Sequence, residues 1–419
     1  EITERDWSSD VCSSDLLQMR DISGGSGKNR GYRTIYDLNA RKNISLLRGE
    51  TLGKLQWLPR SDKLSYTLSS EDAEDLMVYD FLNGEERKIA SGIKNLQDYY
   101  WSPKEDRIVC SIFVEAEKPG ELKRIYGVED RLPYFRDRSM LRLLDTVTGL
   151  VTPLTAGNLS SAFHDFSPDG KRILFSTSRM DYSEVPFRKQ NLYEMDLNTM
   201  AVETVWQDKL YEGYAQYSPD GRSLLVSGGP ETFGNLGVKI SQGRIPNTSD
   251  GQIYIMDLAS RKVDAVSRDF DPAVETAHWC GDGRIYLTVG EKDYGKLYRF
   301  DPKSKRFQNL PLPVEVLSHI DIDDRGDRAV FNGTGVSTPD KLYILDLKNG
   351  SSRLILYPGQ EKYRDIGFGK CETWDFVNGN GDTVSGRVYF PLHFDESKKY
   401  PLIVNFYGGT SPIERSFGG

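Results

Sequence analysis

A five-residue turn, aromatic-Ser-Pro-Asp-Gly, recurs along the chain and leaves few architectures open. It is complete in Phe166-Ser-Pro-Asp-Gly170 and Tyr217-Ser-Pro-Asp-Gly221. Looser copies are Trp57-Leu-Pro-Arg-Ser-Asp62, Trp101-Ser-Pro-Lys-Glu-Asp106, Trp279-Cys-Gly-Asp-Gly283 and Ile322-Asp-Asp-Arg-Gly326. A short apolar strand follows each, as in Arg172–Ser176 and Ser223–Ser227. Later in each unit a second apolar strand ends in an aspartate: Asp37, Asp80, Asp145, Asp196, Asp257, Asp301 and Asp346, at intervals of 43, 65, 51, 61, 44 and 45 residues. Proline presets φ at the second turn position, and Asp-Gly supplies the positive-φ end. The aromatic before the turn can pack between neighbouring sheets. The terminal aspartate opens a second hairpin, so each unit holds four strands. Four strands per 40–50 residues predict a propeller blade. Seven closing hairpins against six openings predict seven blades with the first incomplete, and a β-sandwich array fits the regular spacing poorly.

Two intervals are long because they hold the segments 115–138 and 228–251. Blade insertions gather on one rim and form functional loops, although charge alone describes these equally well as solvated surface.

The net charge is −8, with 28% charged and 11% aromatic residues. An evenly mixed acidic chain lacks the basic stripe of a nucleic-acid binder, and this aromatic content argues against disorder. No run of eighteen apolar residues predicts a membrane-spanning helix. Cys12, Cys110, Cys280 and Cys371 have neither disulfide-framework nor zinc-site spacing, so no metal or cofactor is expected. Gly24-Gly-Ser-Gly-Lys28 mimics the end of a phosphate loop, but the first glycine is missing and Asn29 stands where Ser or Thr is needed.

The beginning of the chain reads differently from the rest. Ser-Ser-Asp occurs twice within residues 8–15, and Asp10–Leu16 is what GAC-GTG-TGC-TCT-TCC-GAT-CT encodes, a string resembling a sequencing-adapter end. Residues 1–16 are therefore read as non-native and set aside.

Near residue 366 the repeat stops. Glu372–Pro391 reads as a hairpin around Asn-Gly-Asn-Gly-Asp. Lys399-Tyr400-Pro401 then leads into the apolar run Leu402–Phe406 and into Tyr407-Gly408-Gly409-Thr410. Such a run predicts a strand buried in an α/β sheet.

This order of parts resembles the prolyl oligopeptidase family of serine peptidases, dipeptidyl-peptidase-like or acylaminoacyl-peptidase-like, which join a β-propeller to an α/β-hydrolase domain. Thr410 stands where the family's Tyr-Gly-Gly-Pro has proline, and Pro412 follows two residues later. The resemblance implies that Tyr407 donates its hydroxyl to the oxyanion of the tetrahedral intermediate. The nucleophile's Gly-x-Ser-x-Gly elbow is absent, and none of His164, His278, His319 and His393 is a catalytic base. The family's dipeptidyl branch holds the substrate amine with a Glu-Glu pair. Glu85-Glu86 and Glu115/Glu117 are the nearest matches, and neither has the matching context.

The expectation is an all-β fold, a propeller over 17–365, followed by the first strands of an α/β-hydrolase domain over 366–419, cut before the triad and inactive as it stands. The parent would hydrolyse short peptides through an acyl-enzyme, with the propeller gating access. Its partners would be peptide substrate and, through the hydrolase domain, a second copy of itself, with no nucleic acid and no membrane span. Periplasm and cytoplasm both remain open. The alternative is a non-catalytic Tol-type periplasmic propeller used as a binding scaffold.

Overall fold

The computed structural model describes residues 14–21, 30–37, 42–47, 52–405 and 415–417, apart from 71, 118–119, 123, 126, 133–134, 184–186, 211–212, 241–246 and 248–249. Its antiparallel units follow the repeat. The first holds β1 (Ser14–Asp21), β2 (Arg30–Asp37) and β3 (Lys42–Leu47). The second holds β4 (Leu52–Trp57), β5 (Lys63–Ser70), β6 (Ala73–Asp80) and β7 (Glu86–Lys94). The third holds β8 (Leu96–Trp101), β9 (Arg107–Val114), β10 (Arg138–Asp145) and β11 (Val151–Pro153). The fourth runs β12 (Ser161–Phe166), β13 (Arg172–Met180), β14 (Arg188–Asp196) and β15 (Val202–Leu210). The fifth runs β16 (Tyr214–Tyr217), β17 (Ser223–Gly228), β18 (Gln252–Asp257) and β19 (Val263–Asp264). The sixth is β20 (Ala273–Trp279), β21 (Ile285–Glu291), β22 (Tyr294–Asp301) and β23 (Arg306–Leu310). The seventh is β24 (Val316–Ile322), β25 (Arg328–Gly335), β26 (Thr338–Asp346) and β27 (Ser352–Leu356). One parallel bridge, Gly295 to Val316, joins the sixth to the seventh.

The fold is an all-β propeller, as the repeat predicts. Every predicted aspartate closes the third strand of its blade. The first blade has three described strands, and β2, ending at Asp37, occupies the third-strand position. Of the segment set aside as non-native, Ser14–Leu16 pair with Asp37–Ile35.

The turn chemistry explains the hairpins. Ser167 Oγ donates to Asp169 Oδ1 (2.7 Å) and accepts from Arg172 N (2.9 Å), while Gly170 closes the turn at φ +67°. Ser218 repeats this with Asp220 (2.6 Å) and Ser223 N (2.9 Å). In the third blade Glu105 takes the positive-φ position at +61°. Its carboxylate then accepts from Arg60 N (2.6 Å) and Ser61 Oγ, tying the second blade to the third.

Successive sheets pack face to face, so the core is a series of inter-blade seams. Leu76 and Val78 of the second blade meet Tyr99, Ile108 and Leu144 of the third. Leu174 and Leu192 of the fourth meet Tyr217 and Leu224 of the fifth. Tyr286 and Leu297 of the sixth meet Leu317 and Phe331 of the seventh. Four of the aromatics that precede these turns, Trp57, Trp101, Phe166 and Tyr217, are buried in such seams.

The closing aspartates cap their turns. Asp145 accepts from Val147 N (3.0 Å) and Thr148 N (2.8 Å), and Asp196 from Asn198 N (2.9 Å) and Thr199 N (2.8 Å). These donors hold both carboxyls below the ordinary 3.8, and Asp301 is held down by Ser304 N and Lys303 N in the same way. A folded pKa below the unfolded one means stabilisation that is present above about pH 4 and lost as pH falls through the folded values. We expect Tm to drop on acidification below pH 4, and a triple Asp→Asn variant at 145, 196 and 301 to flatten that limb. A variant with an unchanged acid limb in thermal scans from pH 2.5 to pH 5 would count against these caps.

After β27 the chain forms the predicted hairpin, β28 (Cys371–Val377) and β29 (Thr383–Tyr389). Asn378 Oδ1 accepts from Asn380 N and Asp382 N (both 2.9 Å), and Gly381 has φ +86°.

The run that follows departs from expectation. Residues 401–405 are not in a strand, and Leu402, Ile403 and Val404 are 81%, 90% and 73% exposed. A parallel strand needs a neighbour on each side, and no described strand of this chain pairs with these residues.

Candidate functional site

The connections of a blade alternate between two rims. The turns from first to second strand and from third to fourth share one rim. The links from second to third strand and from blade to blade share the other. Both long segments, 115–137 and 229–251, lie between the second and third strands of their blades, so they share the second rim. Exposed Glu115 and Glu117 are on that rim, whereas Glu85-Glu86, where the β6–β7 turn enters β7, is on the opposite one.

Within the first insertion Asp130 is fully buried and is gripped by Arg136 through Nε–Oδ1 (2.7 Å) and Nη2–Oδ2 (2.6 Å). A two-point guanidinium–carboxylate pair gives an otherwise irregular loop a fixed fulcrum.

A belt of polar side chains on the innermost strands links successive blades. The residue before each aromatic reaches the next blade. Gln56 Nε2 donates to Tyr99 O (2.9 Å), Asp165 Oδ2 accepts from Tyr217 N (2.8 Å), and Gln216 Oε1 accepts from Trp279 N (3.0 Å). Gln216 Nε2 lies 3.2 Å from His278 Nδ1, and His278 Nε2 lies 3.6 Å from Asp324. Lys54 pairs with Asp98, which also accepts from the Tyr100 hydroxyl (3.0 Å). Burial, then the adjoining Asp98, pushes the Tyr100 phenol up.

His164 serves the same belt. Its Nδ1 accepts from Ala215 N (3.0 Å), which leaves the proton on Nε2, 2.8 Å from Ser176 Oγ. Burial pulls its pKa down to about 4, so the ring is neutral at pH 7. Its contacts are those of a structural histidine within the belt.

Asp165 is the strained member. Burial raises its carboxyl to about 7 against the Tyr217 and Phe166 amides, with His278 pulling it down and Asp324 pushing it up. A folded pKa above the unfolded 3.8 means stability lost as pH rises from about 4 to about 7. Asp165→Asn keeps an acceptor for Tyr217 N and removes the charge. At pH 8 it should stabilise the protein by about 2 kcal/mol, below the full linkage value because the residue keeps some solvent contact. The gain should vanish at pH 4 in denaturant titrations, and an equal gain at both pH values would contradict the assignment.

The third feature lies where the chain leaves the propeller. Arg415 is 2% exposed. Its Nε is 2.9 Å from Asp293 Oδ2 and its Nη1 is 2.8 Å from Glu315 Oε1. Its guanidinium lies 4.4 Å from the Tyr294 ring centroid, and its Nη2 donates to Thr373 Oγ1. Asp293 comes from the link between β21 and β22, Tyr294 from the start of β22, Glu315 from the link into β24, and Thr373 from β28. Nothing in the sequence spacing singles out these residues, because only the fold brings their separate stretches together.

Among the described residues no group of three or more His, Cys, Asp or Glu could hold a metal ion, and no helix is long and apolar enough to cross a membrane. Cys110 and Cys280 are buried, and Cys371 is half-buried. His319 and His393 are exposed and neither has a described catalytic partner. Tyr407, Gly408 and Gly409 lie outside the described residues. Tyr400 of the Lys-Tyr-Pro triplet packs on Phe394 (5.1 Å between centroids), and its hydroxyl accepts from Asp395 N (3.0 Å).

No protein-family model matches the chain. Among curated proteins it is 24% identical over 265 residues to dipeptidyl-peptidase 5 of Porphyromonas gingivalis, covering 61% of this chain and 36% of that protein. It is also 24% identical over 308 residues to dipeptidyl-peptidase 5 of Aspergillus fumigatus, covering 69% and 40%. The acylaminoacyl peptidase of Pyrococcus horikoshii superposes with a TM-score of 0.66 at 17% identity, over 93% of this chain and 57% of that one. The chain is thus similar in sequence to dipeptidyl-peptidases and in fold to an acylaminoacyl peptidase. It spans about two-fifths of the length of these curated relatives. The β-propeller domain of the Trilobed protease from Pyrococcus furiosus, with a TM-score of 0.59 at 15% identity, covers 84% of this chain and is itself 95% covered, which fits the propeller architecture.

Proposed function

We propose that this chain is the propeller part, with the entry to the catalytic domain, of a serine peptidase that cleaves short peptides through an acyl-enzyme. The observation that carries the reading is the likeness to two dipeptidyl-peptidases over 265 and 308 residues. In this reading Tyr407 ends the first strand of an α/β-hydrolase sheet and donates to the oxyanion, with Gly408 and Gly409 permitting close approach. The triad lies in sequence beyond residue 419, so the 419 residues alone do not hydrolyse peptides. The second rim faces the catalytic domain, because the segment after the propeller docks there through Asp293 and Glu315. The propeller and the two insertions on that rim restrict entry to short or unfolded chains. Both curated relatives are named dipeptidyl-peptidase 5, which favours dipeptidyl release over release of acylated residues.

The test is the complete protein with three substrates: a dipeptidyl p-nitroanilide with a free amine, its N-acetylated form, and a folded protein. Hydrolysis of the first with little of the other two is expected. Preference for the acetylated form would move the assignment to the acylaminoacyl type. Cleavage of none would overturn the peptidase reading.

A further inference from the structure

The arginine site at the propeller's exit is built from four separated stretches of chain, yet it encloses one side chain almost completely. Asp293 and Glu315 flank the guanidinium, the Tyr294 ring covers one of its faces, and Thr373 takes an Nη2 proton. The main chain joins in, since Arg415 N donates to Asp293 O (3.1 Å). The carboxylates have further work. Glu315 Oε2 accepts from Val336 N (2.8 Å), and Asp293 lies 3.8 Å from Arg387 Nε on β29.

Other contacts follow the same boundary. Lys292 faces Asp375 (4.0 Å), Ser337 Oγ donates to Gly369 O, and Phe417 packs edge-on against Tyr363 and Phe368. Phe417 N donates to Thr334 Oγ1 (3.3 Å).

Two propeller carboxylates thus receive two arginines from beyond the propeller, Arg387 and Arg415. A buried guanidinium with two carboxylates and a ring face is held in one orientation, because its planar fork cannot rotate without losing a partner. Removing Arg415 would take from Glu315 its guanidinium partner and leave Asp293 with the longer contact to Arg387.

We propose that Arg415 is a positioning residue: it locks the polypeptide entering the catalytic domain onto the sixth and seventh blades and so fixes where that domain sits on the propeller. The role rests on the peptidase reading only where activity is concerned. The lock itself is a property of this chain.

The experiment therefore has two arms. In the 419-residue chain, hydrogen exchange is followed at 371–377, 385–389 and 415–417, with the strands of blades three to five as internal control. Arg415→Ala and the double variant Asp293→Asn/Glu315→Gln should each speed exchange at those segments at least tenfold and leave the control strands unchanged, with Arg415→Lys in between. Exchange unchanged at 371–377 and 385–389 in both would overturn the lock. If Arg415→Ala fails to fold, the single variants Asp293→Asn and Glu315→Gln decide the same question.

In the complete protein, Arg415→Ala should lower kcat at least tenfold with KM changed less than threefold, and Arg415→Lys should recover part of it. A wild-type protein without activity would strike the peptidase reading and leave the exchange result standing. An active wild type with an unaltered kcat in Arg415→Ala would show that the lock does not position the catalytic domain.

Discussion

Replacing Tyr407 by phenylalanine in the complete peptidase should lower kcat about a hundredfold, with KM within a factor of three. A donor that meets the oxyanion only in the transition state contributes about 3 kcal/mol there and little to ground-state binding, so its loss appears in kcat. Phenylalanine keeps the ring and removes only the hydroxyl, so a loss confined to kcat reports on the missing donor. A matching loss in kcat and rise in KM would instead describe a residue that binds substrate. An unchanged kcat would leave Tyr407 as a packing residue. Steady-state kinetics on one dipeptidyl substrate separate these outcomes.

The other large effect falls on the fold. Trp101 is buried in the seam between the second and third blades, and its Nε1 donates to Ser65 Oγ (2.8 Å). Ser65 Oγ also lies 3.1 Å from the Tyr99 hydroxyl and donates to Gln56 O (3.0 Å), so one tryptophan holds a network across two sheets. Trp101→Ala should cost about 3–5 kcal/mol, a cavity plus a lost donor, out of a total stability of roughly 5–15 kcal/mol. Trp101→Phe keeps most of the packing and should cost about 1–2 kcal/mol. Denaturant unfolding measures both. Nearly equal losses would place the energy in the hydrogen bond, and losses under 1 kcal/mol in both would mean that the seam does not depend on the ring.

Much of this fold is visible in the sequence because it is local. A turn such as Phe166–Gly170 encodes its own geometry through Ser167, Asp169 and Gly170, and Asp145 or Asp196 caps its hairpin with neighbours two and three residues away. Seven repetitions of such units identify a propeller without knowledge of any long-range contact. The inter-blade belt is less visible. Gln56, Asp165, Gln216 and His278 share a position relative to the aromatic, but their residue types differ, so only the structure reveals a common role.

The Arg415 site was hidden for a stronger reason. Asp293, Glu315, Thr373 and Arg415 are separated by 22, 58 and 42 residues, and no pattern of spacing connects them. Leu402–Val404 shows the converse. Its apolar run predicts burial, but burial depends on neighbouring strands, which a local pattern does not carry. The catalytic proposal stands on the same kind of ground. It comes from the order Lys399-Tyr400-Pro401, Leu402–Phe406, Tyr407-Gly408-Gly409 and from the dipeptidyl-peptidase relatives, and the propeller supplies its setting.

Labelling of the protein encoded by the complete reading frame with a fluorophosphonate probe tests the peptidase account most directly. The account predicts one labelled serine, in a Gly-x-Ser-x-Gly elbow downstream of residue 419, with Asp and His following it in that order and labelling blocked by a dipeptidyl substrate. A frame that ends shortly after residue 419, or a complete protein in which no serine reacts, would contradict it.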